Sequence, residues 1–148
     1  MPAIDIQTSI SAFFDSYRAA FERQDAAAIA DHFAYPGLVT SDAGEIVLVP
    51  IANRQEWIGR LEQLLSMYRA IGVGSARVLE LTLTEISSRL HQAHIHWALY
   101  PAAGERLYDF EAIYTVAQTG ATFHITAIAH NELPQYQACA ARLKAQRA

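Results

Sequence analysis

Two segments in the second half of the chain, LHQAHIHWALY (90–100) and LYDFEAIYTVA (107–117), alternate so regularly that they constrain the fold more than anything else in it. A strand sends successive side chains to opposite faces, so a hairpin joining these two segments has one register that makes chemical sense. Any turn with an even number of residues centred on PAAGER sets Tyr100 opposite Leu107. The pairs then run Leu99 with Tyr108, Trp97 with Phe110, Ile95 with Ala112 and Ala93 with Tyr114, which gives one apolar, aromatic face. The other face carries His94, His96, Asp109 and Glu111, with His96 opposite Glu111. An apolar sheet face of this size has to be covered by other elements.

The neighbouring segments extend the sheet. A two-residue TG turn after Gln118 continues the apolar face with Phe123, Ile125, Ala127 and Ala129, and the polar face with His124 and His130. The segment 78–86 joins less simply: placing Leu79, Leu81 and Leu83 on the Trp97 face needs an odd loop or a bulge near Ser87. The four strands are expected over 78–86, about 90–100, 107–117 and 121–130, as an antiparallel meander.

The cover comes from the first half. Ile6, Ile10, Phe13, Phe14, Tyr17 and Phe21 recur at three- and four-residue steps, the stripe of an amphipathic helix. Asp25 is a suitable N-cap for a second helix over 26–34, ended by YPG. A small hairpin follows, LVT and EIVLV around SDAG. A third helix begins at Asn53, whose pairing with Glu56 resembles a capping box, and it buries Trp57, Leu61, Leu64, Leu65 and Tyr68 before IGVGS closes it. Pro134 suits the first turn of a terminal helix ending near Lys144.

Composition adds exclusions. With 148 residues the chain suits one domain, 1–148, without linker or repeat. The hydrophobic share of 52% against 18% charged is richer in apolar groups than an average soluble protein, and points to a large core, a lined cavity or an oligomer interface. A net charge of -4 with scattered Lys and Arg offers nothing to a phosphate backbone, so nucleic acid is not an expected partner. The single cysteine, Cys139, cannot form an internal disulfide. No stretch approaches membrane-spanning length, and MPAIDIQTSI lacks a leader's basic and apolar segments, so a cytoplasmic protein without membrane contact is expected. No phosphate-binding glycine loop, CxxC pair, GxSxG elbow or HExxH sequence is present, and no cofactor or metal is expected.

Three helices, a small hairpin, then long curved strands is an order that resembles the nuclear transport factor 2-like superfamily. The resemblance spans about 6–133 and is strongest in YRAAFERQDAAAIADHFAYP and in HIHWALYPAAGERLYDFEAIYTVAQTGATFHITAIAHNE. The second stretch is similar to the SnoaL-like branch, through Trp97, Phe110 with Tyr114, and Gly120, Phe123 and Ile125. It implies an α+β, cone-shaped barrel: three N-terminal helices packed on a curved antiparallel sheet, a short C-terminal helix, and a cavity between the layers. Functions in this superfamily range over isomerases, cyclases, hydratases or dehydratases and non-catalytic binding modules, and many members dimerise.

Tyr17 falls where ketosteroid isomerases, distant members, carry a tyrosine that donates to an enolate oxygen, and Asp25 matches their helix-starting aspartate. The resemblance puts that family's base at Ser41, which cannot abstract a proton; Asp42, one residue on, reads as part of a hairpin turn. The second acidic donor is replaced by Trp97 or Leu99. That route is therefore incomplete in this chain.

The candidate site residues are Tyr17 and His32 as catalytic groups, with Tyr35, Trp57, Trp97, Tyr108, Phe110, Tyr114 and His130 as ligand contacts, and Asn131 near the rim. His32 has the near-neutral reference pKa of a general base. Two imidazoles with Glu111 could hold a divalent ion, but the pairing sends His94 and His96 away from the aromatic pocket. Two functions follow: a cavity that binds an apolar small molecule and acts on it, or a dimeric module that pairs through Ile113, Thr115, Thr126 and Ile128 on the outer sheet. The expected partners are an apolar ligand and a second copy of the chain, a homodimer through the sheet.

Overall fold

A computed structural model describes residues 5–147. The leader reading made on the first ten residues, and the ends of the domain assigned to 1–148, fall partly outside that range. Helix α1 (Ile6–Glu22) and the short α2 (Ala26–Ala30) lead into strands β1 (Phe33–Asp42) and β2 (Ile46–Ile51). Helix α3 (Arg54–Ile71) precedes β3 (Val73–Ser87), β4 (Leu90–Pro101), β5 (Tyr108–Thr119) and β6 (Thr122–His130), and α4 (Glu132–Gln146) follows. The strands form one curved, unclosed sheet in the order β2-β1-β6-β5-β4-β3. Every neighbouring pair is antiparallel except β1 with β6, which is parallel because the whole meander intervenes between them.

Side-chain caps fix three helix starts, those at Asp25 and Asn53 as the sequence predicts. Asp5 accepts from the Gln7 amide, Asp25 from Ala28 at 3.1 Å and Asn53 from Glu56 at 2.9 Å, each satisfying a first-turn donor. Gly72 ends α3 with φ of 78°, a left-handed conformation that a side chain resists. Gly74 starts β3 so close to Ala102 that a Cβ there would lie 2.8 Å from its nitrogen. Strand β3 therefore begins at Val73, five residues before the alternating pattern announces it.

Helix α2 stops at Ala30, short of the expected 34. Phe33 is needed in the core, where it is 5% exposed, and the Ile125 amide donates to the His32 carbonyl, so pairing with β6 outcompetes helix propensity. The Tyr35–Pro36 peptide is cis and lies inside β1 rather than at a helix end.

The central hairpin has the register the alternation requires: Leu99 faces Tyr108, Trp97 faces Phe110, Ile95 faces Ala112, Ala93 faces Tyr114 and His96 faces Glu111. The inner face is buried against Ile10, Phe14, Tyr17 and Ala20 of α1 and Trp57, Leu61 and Leu65 of α3. On the outer face His94 bonds Glu111 and His96 Nε2 lies 2.6 Å from Asp109, both diagonal pairings, while His96 Nδ1 also stands 3.8 Å from Glu111 directly opposite. Among the described residues no group of His, Cys, Asp and Glu has metal-holding geometry.

Bulges alter the outer strands. The bulge expected near Ser87 is present between Glu85 and Ser87 and brings Leu81 and Leu83 opposite Ile95 and Ala93. A second break puts Leu79 into solvent at 44% exposure, off the Trp97 face. In β6, Val116 pairs with Ile125 but Thr115 pairs with Ala127, so Thr126 is the extra residue. Beyond it the faces are exchanged: Ile128 and His130 turn inward, Ala127 and Ala129 outward. This corrects the placement of His130 on the polar face and of Ile128 on the outer surface.

Exchanging the faces has a measurable consequence. Ile128→Lys should destabilise the fold by more than about 3 kcal/mol in urea unfolding, while Ala129→Lys stays within about 0.5 kcal/mol. Uninterrupted alternation demands the opposite order.

Candidate functional site

Between α1, α3 and the concave face of the sheet lies a cavity of about 110 Å³. The small side chain of Ala112, set among Trp97, Phe110 and Tyr114, leaves this space because the larger residues around it already span the gap between layers. The wall is mostly apolar, with Val39, Leu61, Leu65, Leu99 and Ile128 among its members. It opens between the end of α1 and the start of β3. There Glu22 accepts from the Ala76 amide at 3.0 Å and pairs with Arg18 at 2.9 Å, tying the helix to the strand.

The polar groups inside are few. Trp97 Nε1 donates to the Tyr114 hydroxyl at 2.9 Å. The Tyr17 ring packs against that of Tyr114 with centroids 5.8 Å apart, and burial raises its pKa well above the ordinary phenol value, with Tyr114 and Glu132 adding to the effect. Glu132, the first residue of α4, is 8% exposed. Its Oε2 accepts from Tyr68 at 2.5 Å and from Tyr108 at 2.8 Å. Burial raises the pKa of this carboxyl, and the two tyrosine donors only partly offset it. Burial, together with the same carboxylate, raises the pKa of both tyrosines. His130 Nδ1 accepts from the Glu132 amide at 3.1 Å, and burial lowers the pKa of its imidazole.

The residues singled out in the sequence divide here. Tyr17, Trp57, Trp97, Phe110, Tyr114 and His130 converge on the cavity. Tyr108 touches it through Glu132. His32 does not reach it: Nδ1 donates to the Ala28 carbonyl at 2.7 Å and Nε2 lies 3.0 Å from the Ser16 hydroxyl, so the ring fastens the end of α2 to α1. Tyr35 is also outside, donating to the Ala30 carbonyl at 2.7 Å, and burial, its main perturbation, pushes its pKa up to about 12. Ser41 sits in β1 beside His130, while Asp42 accepts from Gly44 in the hairpin turn. Asn131 turns back to the Glu111 amide at 2.9 Å.

Sequence reasoning missed Tyr68 and Glu132 as site residues. A glutamate in a helix's first turn ordinarily faces water and complements the dipole. Its sequence, HNELP, carries no sign that the side chain folds inward under two tyrosines from α3 and β5.

An α+β fold with a curved sheet, helices on its concave side and a cavity between them is that of an NTF2-like protein. The family model described as "NTF2-like protein (DUF6841)" matches residues 7–133, and the chain belongs to that family. No curated protein matches the sequence. Among solved structures it is similar to an NTF2-like protein with a cystatin-like fold from Novosphingobium aromaticivorans: TM-score 0.68 and 13% identity, over 84% of this chain and 80% of that one. An NTF2-like protein of unknown function from Shewanella oneidensis gives TM-score 0.66 and 12% identity, over 84% and 98%. The β subunit of benzoate 1,2-dioxygenase from Burkholderia mallei gives 0.63 and 16%, over 88% and 92%. At these identities the likeness shows the fold alone. No helix among the described residues is long and apolar enough to cross a membrane.

The Glu132 environment predicts a pH effect whose sign can be worked out. Because the folded-state pKa lies above the unfolded value of about 4.5, the folded chain holds this proton longer, and the associated stability, full below that pH, is lost as pH rises through the folded value. Glu132→Gln cannot ionise. Its melting temperature minus that of the wild type should therefore grow as pH is raised from about 4 to 8; a difference independent of pH would contradict a raised pKa.

Proposed function

We propose that this protein binds a small, uncharged, apolar carbonyl compound in the cavity and moves a proton on it, an isomerase-type reaction. The observation that carries the reading is Glu132: a buried carboxyl at an apolar cavity, with one oxygen held by two tyrosines and the other without a hydrogen-bond partner among the described residues. A carboxyl held above its usual range is both a better base when ionised and an acid available nearer neutrality. In the proposed step the free oxygen of Glu132 takes a proton from the carbon next to the carbonyl. The C–H electron pair moves into the enolate, whose oxygen accepts from the hydroxyls of Tyr17 and Tyr114, and the proton then returns to a carbon of the ligand. The aspartate base of ketosteroid isomerases, absent at Ser41, is here supplied from the opposite end of the chain.

Deuterium exchange into simple ketones in D2O, followed by NMR, tests this directly. The wild type should exceed buffer, Tyr17→Phe should be slower by about ten- to a hundredfold, and Glu132→Gln should fall to background. Exchange by Glu132→Gln at the wild-type rate would remove the carboxyl from the reaction. Ketone binding without exchange would leave a binding protein only.

A homodimer through the outer sheet face is also favoured by a specific feature. Leu38 and Ile113, 41% and 40% exposed, flank Ala127 and Ala129 on that face, an apolar strip across β1, β6 and β5. Light scattering should give twice the chain mass, and Ile113→Asp should give a monomer whose cavity still binds ketones.

A further inference from the structure

Groups that cannot easily give way set the size of the cavity. The ring of Tyr17 packs against those of Phe14, Phe33, Trp97 and Tyr114, with centroids between 5.8 and 6.5 Å apart, and the Trp97–Tyr114 hydrogen bond ties two of these rings together. On the helical side Leu61 and Leu65 are each 1% exposed. Moving one wall residue outward would break its contacts with several others, and a close-packed interior resists that. The opening is held as firmly. Glu22 accepts from the Ala76 amide at 3.0 Å on the α1 side, and Gly74 lies so close to Ala102 that the start of β3 is seated against the β4–β5 connection.

The volume enclosed is about 110 Å³. A cavity of roughly 150 Å³ suffices to bind benzene, so the space in this protein takes no more than about six non-hydrogen atoms. One residue of the sheet face controls that number. Ala112 lines the cavity, 1% exposed, between Phe110 and Tyr114 along β5 and between Ile95 and His130 across the neighbouring strands. The four residues around it are all large, so each carbon added at position 112 would take the place of one in the ligand.

Building on the proposed function, we infer that the substrates are ketones of about four to six non-hydrogen atoms, short-chain or with a single small ring, and that Ala112 is the residue that sets this limit. A fused-ring or long-chain ketone would have to displace interlocked aromatic rings or part Glu22 from Ala76. Burial rewards each additional methylene only while it finds space, about fourfold in affinity per group, and the gain reverses when the next one has none. Ala112 is thus a specificity-determining residue that acts through its size and takes no part in the proton transfer.

NMR titration of the protein with acetone, the cyclic ketones from cyclobutanone to cycloheptanone, and the fused bicyclic 2-decalone tests the inference. For the wild type, cyclopentanone should bind about fourfold more tightly than cyclobutanone, cyclohexanone no more tightly than cyclopentanone, and cycloheptanone at least about tenfold more weakly, with 2-decalone not bound. Ala112→Val, which adds two carbons, should weaken cyclopentanone by about tenfold while acetone changes by less than about twofold. Ala112→Gly, which removes one, should move the best ring up to cyclohexanone. Cycloheptanone or 2-decalone bound as tightly as cyclopentanone, or a size order unchanged in both variants, would overturn it. The wild-type series decides the size limit alone if circular dichroism shows that neither variant folds. Glu132-dependent exchange in ketones of every size would sink this inference and spare the proposed function. The size limit without Glu132-dependent exchange would do the reverse, and no ketone binding at all would sink both.

Discussion

The pairing of β4 with β5 is the constraint on which the rest of the structure depends. Once Trp97 stands opposite Phe110 and Ala93 opposite Tyr114, a broad aromatic face exists that water would solvate poorly. Helices α1 and α3 cover it with stripes of matching length. A sheet this curved cannot be met evenly by two straight helices, so the layers separate where the sheet residue is smallest. Ala112, between Phe110 and Tyr114 on the same face, marks that place. The cavity is thus a consequence of register and of one small side chain, and a register slip of a single residue would have lined it with His96, Asp109 and Glu111 instead.

Much of this was legible in the sequence because it depended on local periodicity. The β4–β5 register, the caps at Asp25 and Asn53, the α1 stripe and the bulge near Ser87 all follow from residues close together in the chain. What was not legible depended on distant pairing. Helix α2 gives up residues to β1 because Phe33 has a place beside Ile125, ninety-two positions later. The bulge at Thr126 leaves no compositional mark, since Thr, Ala and Ile are ordinary strand residues in either register. Its effect is nevertheless decisive, because it alone turns His130 and Ile128 toward the cavity.

Glu132 shows the same limit at the site. As the first residue of α4 it could have pointed to water at no cost. It is drawn inward because Tyr68 of α3 and Tyr108 of β5 present two hydroxyls at one point, and because the bulge has already rotated the end of β6 so that His130 receives its amide. Three elements separated in the chain, α3, β5 and α4, therefore meet at one carboxyl oxygen. Tyr17, by contrast, was visible because the α1 stripe and the resemblance to isomerases both pointed to it, and it does line the cavity. His32 and Tyr35 are near it in sequence but bond to the backbone of α2, which is what polar residues beside a short helix usually do.

The same carboxyl links occupancy of the cavity to its protonation. Glu132 balances the cost of burial against two tyrosine donors, and burial prevails, raising its pKa. A ligand that fills the space displaces water that would otherwise help solvate the anion, so the charged form becomes costlier still unless the ligand itself donates. A carbonyl oxygen cannot donate. Binding such a molecule therefore makes the ionised carboxylate a stronger base, and the negative charge passes to the ligand oxygen beside Tyr17 and Tyr114 as Glu132 takes the proton. In this arrangement the apolar wall resists charge on the glutamate, while the tyrosine pair provides the place where charge can be held once the proton has moved.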